Sequence, residues 1–237
     1  MPTISGFHDA TREFFARDPL VVAPQLLGCV FERTDAAGTV AIRITEVEAY
    51  AGELDPGAHS HSGMSPRTAV TFGEAGHLYC YFSYGMHWAI NLVTGKTGQS
   101  RGCLIRAGEV IAGEELARAR RSQTRRSPIP DRELARGPAC VAQVFGVGPA
   151  NNGDDLFGGE WRFQIPDTPL DAPVATGPRV GVSGPGGDAE EFPWRFWIAG
   201  DRTVSAYKPG KPIGRVRTWR GRAEASRAGT PPEPRPR

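Results

Sequence analysis

The chain has 237 residues, of which 39% are hydrophobic, enough for the core of one substantial domain. Its 30 glycines and 21 prolines predict many turns and exclude a simple helical bundle. The 28 lysines and arginines nearly balance 26 aspartates and glutamates, so the net charge of +2 identifies no class of partner.

Three features of the sequence predict a cytoplasmic protein. The chain opens without the apolar run of a signal peptide, and no apolar stretch reaches the length of a transmembrane helix. The cysteines form no CxxC pair, and three of them lie in apolar surroundings, as expected for buried free thiols in a reducing compartment. The four cysteines are Cys29, Cys80, Cys103 and Cys140.

The first half of the chain predicts helices followed by two strands and a loop. Residues 8–27 have a helical pattern, in which Asp18 and Pro19 are the N-cap and first-turn proline of a second short helix. Strands are predicted at 29–33 and 40–50, around a turn. Residues 52–76 are rich in Gly, Pro, Ser and His and predict a long loop, and loops of that length inside a domain usually carry function.

The second half predicts further strands with helices between them. A hairpin is joined through Gly85, and a helix near residue 140 packs Val141 and Val144 inward. The predicted strands are 77–83, 88–93, 103–110, 161–165, 179–182 and 194–199, and the predicted helices are 113–121 and 137–145. The pattern indicates an α+β fold, a single mixed and mainly antiparallel β domain with helices packed outside and a protruding β-hairpin. We expect this domain to span residues 1–221 and a disordered tail rich in proline and arginine to span 222–237.

Two glutamates end the longest predicted strand. Strand periodicity predicts one shared face for five residues, Ile42, Ile44, Glu46, Glu48 and Tyr50. A carboxyl group at the end of an apolar face is partly desolvated, which raises its pKa toward the range useful for proton transfer. The alternative is an edge strand whose carboxylates pair with surface arginines. A glycoside hydrolase that uses Glu46 and Glu48 is a further alternative, because neighbours two apart on one face lie about 7 Å apart.

Histidines in the long loop predict no metal site. His59 and His61 flank Ser60, and Asp55 is the only acid near enough to join them as a ligand. We therefore expect neither a metal nor another cofactor. A histidine in such a loop is either a hydrogen-bonding loop residue or part of a pocket lining.

The predicted hairpin concentrates aromatic residues. A turn at residues 85–87 would set Tyr81 opposite Asn91, a stacking surface beside a group that both donates and accepts hydrogen bonds. Tyr84 would lie at the tip, where an exposed aromatic ring is a candidate wedge for separating stacked bases. Tyr79 is interpreted as an ordinary strand residue.

Arginines provide the candidate anion contacts. Arg106 follows an apolar strand, so its guanidinium needs an anion, which either Glu48 or a substrate phosphate would supply. Clustered arginines suit phosphate contact, although a solvated helix face and a soluble tail explain them as well. The first cluster comprises Arg118, Arg120, Arg121, Arg125, Arg126 and Arg132. The second comprises Lys208, Lys211, Arg215, Arg217, Arg220, Arg222, Arg227, Arg235 and Arg237.

Taken together, these residues resemble the alkyladenine (3-methyladenine) DNA glycosylase family of monofunctional base-excision repair enzymes. The resemblance covers nearly the whole chain. Its motifs are Phe15-Ala16-Arg17-Asp18, Leu26-Leu27-Gly28, Glu46-Val47-Glu48-Ala49-Tyr50, Ala58-His59-Ser60, Leu78-Tyr79-Cys80-Tyr81-Phe82-Ser83-Tyr84-Gly85-Met86, Asn91, Cys103-Leu104-Ile105-Arg106, Gly137-Pro138 and Gly177-Pro178-Arg179-Val180-Gly181-Val182. The resemblance implies an enzyme that flips alkylated or deaminated purines, such as 3-methyladenine, 7-methylguanine and hypoxanthine, out of duplex DNA and leaves an abasic site.

The resemblance also implies roles for individual residues. Glu48 would activate a water for attack at C1′, while Arg106 and the backbone carbonyl of Val180 help to hold that water. Tyr50 would stack on one face of the base. His59 and Tyr81 would lie on the other side, with the His59 backbone donating to the base edge.

Two further roles concern selectivity. Asn91 would crowd the exocyclic amine of guanine, and Tyr84 would fill the gap left in the duplex.

We expect a monomer that acts on the bacterial nucleoid, because one recognition surface suffices for one lesion. The alternative is a non-catalytic nucleic-acid-binding module, because the same β scaffold resembles the tRNA-binding appendage of formyltransferases.

Overall fold

The structure is a computed structural model that describes residues 4–83, 85–123 and 127–210. Within these ranges, ten strands form one sheet and four α-helices flank it. The strands are β1 (Phe7–Asp9), β2 (Val30–Asp35), β3 (Gly38–Tyr50), β4 (Leu78–Ser83), β5 (His87–Val93), β6 (Gly102–Ala112), β7 (Ala135–Arg136), β8 (Trp161–Pro166), β9 (Val174–Gly177) and β10 (Arg195–Ile198). The helices are α1 (Arg12–Phe15), α2 (Pro19–Leu26), α3 (Glu114–Ser122) and α4 (Pro138–Val144).

The sheet is mainly antiparallel, as the sequence predicts. Its path runs β1-β8-β2-β3-β6-β5-β4, while β10 adds to the second half of β3 and carries β9. Helix α2 packs on β3, and α4 packs on β5 and β6. The α+β prediction with helices outside the sheet is confirmed. Within the described ranges, no helix has both the length and the apolar character needed to span a membrane.

Local signals place the helices correctly, with one exception near the start. Asp18 accepts a hydrogen bond from the Leu20 backbone N–H at 2.9 Å, and Pro19 begins α2, so the predicted cap is confirmed. Val141 and Val144 of α4 are fully buried. The helix predicted from residue 8 is wrong at its beginning, because β1 pairs with β8 and this long-range pairing overrides local propensity.

A β-bulge in β3 separates the isoleucines from the glutamates. Between Ile44 and Glu46, β3 gains one residue relative to β6, and Thr45 is that extra residue. Before the bulge Ile42 and Ile44 lie in the hydrophobic core, and beyond it the core positions are Val47 and Ala49. The prediction of one face shared by Ile42, Ile44, Glu46, Glu48 and Tyr50 is therefore wrong. Glu46 and Glu48 project from the face opposite the isoleucines.

The hairpin forms in a different register from the predicted one. Ser83 pairs with His87 around Gly85, whose φ of 66° is the left-handed conformation that glycine adopts readily. The turn is thus centred one residue earlier than predicted, which pairs Tyr79 rather than Tyr81 with Asn91. The side chains of Tyr79, Tyr81 and Asn91 still share one face of the sheet, because a shift of the strand pairing by two residues preserves the alternation of faces.

The predicted strand at 179–182 is a loop that follows β9. Gly181 has a φ of 74°, outside the extended range, and Arg179 is anchored by four hydrogen bonds rather than by a strand partner. Tyr84, Arg125, Arg126 and the predicted tail at 222–237 lie outside the described residues.

Candidate active site

A cavity of about 520 Å³ lies where β3, the loop after it, the β4–β5 hairpin and the loop after β9 meet. Its volume is typical of a small-molecule site. Seven of the eight predicted site residues line it: Glu48, Tyr50, His59, Tyr81, Asn91, Arg106 and Val180. The eighth, Tyr84, is outside the described residues. The fold therefore gathers residues that are up to 132 positions apart in the chain.

The Glu48 carboxylate is fully buried and has a polar partner on each oxygen. Its Oε1 accepts a 2.6 Å hydrogen bond from the Val180 backbone N–H and lies 3.2 Å from Nη1 of Arg106. Its Oε2 accepts a 2.9 Å hydrogen bond from the Tyr50 hydroxyl. Of the two anions expected for Arg106, Glu48 or a substrate phosphate, Glu48 is in contact with it. The contact between Glu48 and Val180 is made by the backbone N–H of Val180.

Glu46 is the carboxylate shared by two arginines in a buried ion cluster beside the cavity. Its Oε1 accepts from Nε of Arg106 at 2.9 Å and from Nε of Arg195 at 2.7 Å, and its Oε2 accepts from the Ser205 backbone N–H at 2.7 Å. Burial acts to raise the pKa of Glu46, but Arg106 and Arg195 hold that pKa below its ordinary value. The expected rise in pKa is therefore wrong for Glu46, which stays a carboxylate. Sequence analysis missed Arg195 and Ser205, because only the strand pairing of β10 and the chain after it bring them here.

Arg106 connects the two glutamates. Burial acts to lower its pKa, but Glu48 and Glu46 together raise that pKa above its already high value. The guanidinium is therefore permanently charged. Its Nε contacts Glu46 and its Nη1 contacts Glu48, so the guanidinium bridges the two carboxylates and is held in orientation toward Glu48.

Arg179 supports the ring of Tyr50 from behind. Its Cζ lies 4.5 Å from the centroid of that ring, a cation–π geometry. Arg179 is fully buried and pairs with both oxygens of Asp55 at 2.5 and 2.7 Å, and Asp55 is itself fully buried. Asp55, considered in the sequence as a metal ligand, therefore has an arginine as its partner. Within the described ranges, no group of three or more His, Cys, Asp or Glu side chains is placed to hold a metal.

Three rings in the cavity lining, those of His59, Tyr79 and Tyr81, form an aromatic cluster. The His59 ring meets the Tyr81 ring edge-on, with centroids 4.6 Å apart, and its Nδ1 lies 3.2 Å from the Tyr79 hydroxyl. The pKa of His59 is lowered to about 4, first by burial and then by Arg67, so the ring is neutral at ordinary pH. Tyr79, interpreted as an ordinary strand residue, lies on β4 and also lines the cavity.

Asn91 also lines the cavity and is the strand partner of Tyr79. It is buried, and its Nδ2 donates a 3.1 Å hydrogen bond to the backbone carbonyl of Tyr79. The pairing of β5 with both β4 and β6 fixes its backbone. The side chain is therefore held in one orientation by the strand next to it.

The arginines of α3 have partners within the fold. Arg118 pairs with Glu114 and Asp131, and Arg120 pairs with Asp35, each at 2.6 Å. Arg121 is buried and donates to the Leu134 carbonyl at 2.9 Å. These three members of the first arginine cluster thus fasten α3 to the rest of the domain.

Comparison with known proteins gives one family. The model of the methylpurine-DNA glycosylase family matches residues 13–202. Three relatives are each named "Putative 3-methyladenine DNA glycosylase". The one from Streptomyces avermitilis is 48% identical, covering 85% of this chain and 93% of its own. The one from Leifsonia xyli is 46% identical, and the match covers 83% of this chain and 92% of the relative. The one from Corynebacterium glutamicum is 44% identical, and the match covers 78% of this chain and 90% of the relative. The chain therefore belongs to the methylpurine-DNA glycosylase family and is a DNA glycosylase of DNA repair.

Proposed function

We propose that this glycosylase flips a damaged purine nucleotide from duplex DNA into the cavity and hydrolyses its N-glycosyl bond, leaving an abasic site. The substrates are alkylated purines, 3-methyladenine and 7-methylguanine, together with deaminated and etheno purines such as hypoxanthine. The observation that carries the proposal is the Glu48 carboxylate, which reaches the cavity with Arg106, Tyr50 and the Val180 N–H around it.

The chemistry requires one base and one water. Glu48 takes a proton from water as the water oxygen bonds to C1′, and the purine departs with the electron pair of the glycosyl bond. Arg106 and the Val180 backbone carbonyl position that water. An alkylated purine departs without further help because it is already cationic, whereas hypoxanthine also needs protonation at its leaving nitrogen. No lysine is present among the described residues that line the cavity, which supports hydrolysis rather than Schiff-base chemistry.

The walls of the cavity are suited to a flat base. Tyr50 stacks on one face, while His59 and Tyr81 contact the other, and each base–aromatic stack contributes roughly 1–3 kcal/mol. That gain offsets the few kcal/mol that extruding a base costs, and the cost is smallest for damaged or mispaired bases. Asn91, held by the Tyr79 carbonyl, crowds the exocyclic amine of guanine. Tyr84 fills the gap in the duplex.

Two alternatives from the sequence lose support. A glycoside hydrolase needs both Glu46 and Glu48 at the substrate, but Glu46 does not line the cavity and is bound by two arginines. A non-catalytic binding module has no use for the Glu48 carboxylate in the cavity wall. Family membership and the position of Glu48 both favour the enzyme.

The decisive experiment uses Glu48→Gln. Wild-type protein and the variant are incubated with duplexes that contain hypoxanthine or 7-methylguanine, and hot alkali then converts abasic sites to strand breaks. We expect breaks that require alkali with wild type, a loss of at least about a hundredfold with Glu48→Gln, and retained binding of lesion DNA. Glu109→Gln, half-exposed on the neighbouring strand, is the matched control and keeps activity. Full activity of Glu48→Gln would disprove the assignment of the base.

A further inference from the structure

Arg67 lies at the cavity mouth against the rings that form one wall. Its Cζ is 5.3 Å from the Tyr81 ring centroid, and its Nη2 is 3.4 Å from Nε2 of His59. The side chain is exposed and lines the cavity, so it is in reach of a bound base or of solvent. Neither the sequence pattern nor the reaction proposed above assigns it a role.

Arg67 differs from the two other arginines that line the same cavity. Arg106 has Glu46 and Glu48 as counter-charges. Arg101 directs its Nη1 at the backbone carbonyls of Ala51 and Ser100, at 2.6 and 2.8 Å. Arg67 contacts only uncharged rings, and no ion pair with a carboxylate is present for it within the described part of the chain. Among the described residues, no carboxylate balances the charge of Arg67 or that of Arg101, but only Arg67 of these two is in contact with the rings of Tyr81 and His59.

The position of Arg67 matters because the two purine classes differ in charge. A purine alkylated at N3 or N7 is a cation, whereas hypoxanthine and etheno purines are neutral. A guanidinium beside the cavity repels the cationic base. Its cation–π contact with the Tyr81 ring also competes with the attraction of that ring for a cationic base. The neutral base meets no such repulsion, and its ring nitrogens and oxygens accept hydrogen bonds.

We propose that Arg67 is a specificity-determining residue that shifts the preference of this glycosylase toward neutral lesion purines over cationic ones. The inference rests on the proposed function. Arg179, the guanidinium behind Tyr50, does not share this role, because Asp55 balances its charge.

The test compares single-turnover excision of 7-methylguanine and hypoxanthine from the same duplex context, each rate corrected for protein-free loss. The variants are Arg67→Gln, which removes the charge, and Arg67→Lys, which keeps it. Arg202→Gln, an exposed arginine that does not line the cavity, is the control. We expect Arg67→Gln to raise the ratio of the 7-methylguanine rate to the hypoxanthine rate roughly tenfold. We expect Arg67→Lys and Arg202→Gln to keep the wild-type ratio.

Other outcomes of this comparison would overturn the inference about Arg67, the proposed function, or both. An unchanged ratio in Arg67→Gln overturns the inference. A loss that is equal for both lesions, with the salt dependence of binding reduced by about one unit of slope, also overturns it and assigns Arg67 to a backbone phosphate. A wild-type protein inactive on both lesions overturns the proposed function and the inference with it, whereas an active wild type with an unchanged ratio in Arg67→Gln overturns the inference alone.

Discussion

Replacing Asp55 with alanine tests whether the buried ion pair behind the cavity maintains the fold. Asp55 and Arg179 are both fully buried, and the carboxylate binds the guanidinium with both oxygens. It also accepts hydrogen bonds from the backbone N–H groups of Ala51 and Gly57, at 3.2 and 2.8 Å. The Asp55→Ala variant would leave one buried charge and two backbone donors without this acceptor.

The expected loss of stability is large. Removing one partner of a buried pair costs about 3–5 kcal/mol, because the other charge stays in the interior without compensation. Each orphaned buried N–H adds about 1–3 kcal/mol where water cannot replace the acceptor. We therefore expect the free energy of unfolding to fall by at least about 3 kcal/mol. At about 2–4 °C per kcal/mol for a domain of this size, Tm falls by roughly 6–20 °C.

Urea and thermal unfolding, followed by circular dichroism, measure both quantities. Asp9→Ala is the matched control, because it breaks the pair with Arg162, in which the aspartate side chain is 56% exposed. Exposed pairs contribute about 0–1 kcal/mol, so this variant should stay within that range of wild type. An Asp55→Ala variant as stable as Asp9→Ala would refute the reasoning that links burial of the pair to its energetic importance.

Three further predictions follow from the same geometry. Glu46→Ala should lower the free energy of unfolding by about 3–5 kcal/mol, since Arg106 and Arg195 lose their shared counter-charge, and an unfolding curve matching wild type would contradict it. The pKa of His59 is lowered from 6.5 to about 4, so the stability it contributes is complete above about pH 6.5 and is lost as pH falls toward 4. The wild type should therefore lose stability relative to His59→Gln over that window in pH-dependent urea titrations, and parallel pH profiles would contradict this. Gly186→Ala should destabilise the fold, because a Cβ there overlaps the backbone of Gly57, whereas Gly158→Ala has open space and should leave Tm unchanged.

Local patterns predict much of this fold because they are encoded within a few residues. The Asp18-Pro19 helix start, the strand that carries Glu48 and the β4–β5 hairpin are examples. The features that sequence analysis missed depend on contacts between distant segments. The bulge at Thr45 shifts the apolar alternation from Ile42 and Ile44 to Val47 and Ala49, but the prediction of one continuous face for β3 assumes a regular strand and so misses this change of phase.

The candidate site divides in the same way. Seven of the residues that line the cavity are predicted from motifs, whereas the residues that support them are not. Arg195 reaches Glu46 only because β10 pairs with β3. The role of Arg179 depends on a buried aspartate 124 residues earlier in the chain. Because Val180 and Val182 alternate as in a strand, the sequence around Arg179 predicts a strand and carries no local signal for its pairing with Asp55.

The contact between Glu46 and Ser205 also bears on the order in which the protein is made. The two residues are 159 positions apart, and Ser205 supplies both its backbone N–H and its hydroxyl to the glutamate. At about 5–20 residues per second, the ribosome reaches Ser205 roughly 8–32 s after Glu46. During that interval the nascent chain holds Glu46 without this partner, although the strand that carries it has already been synthesised. The ion cluster beside the cavity is therefore completed only after Ser205 has been synthesised, and a chain released before Ser205 lacks part of the support for Arg106.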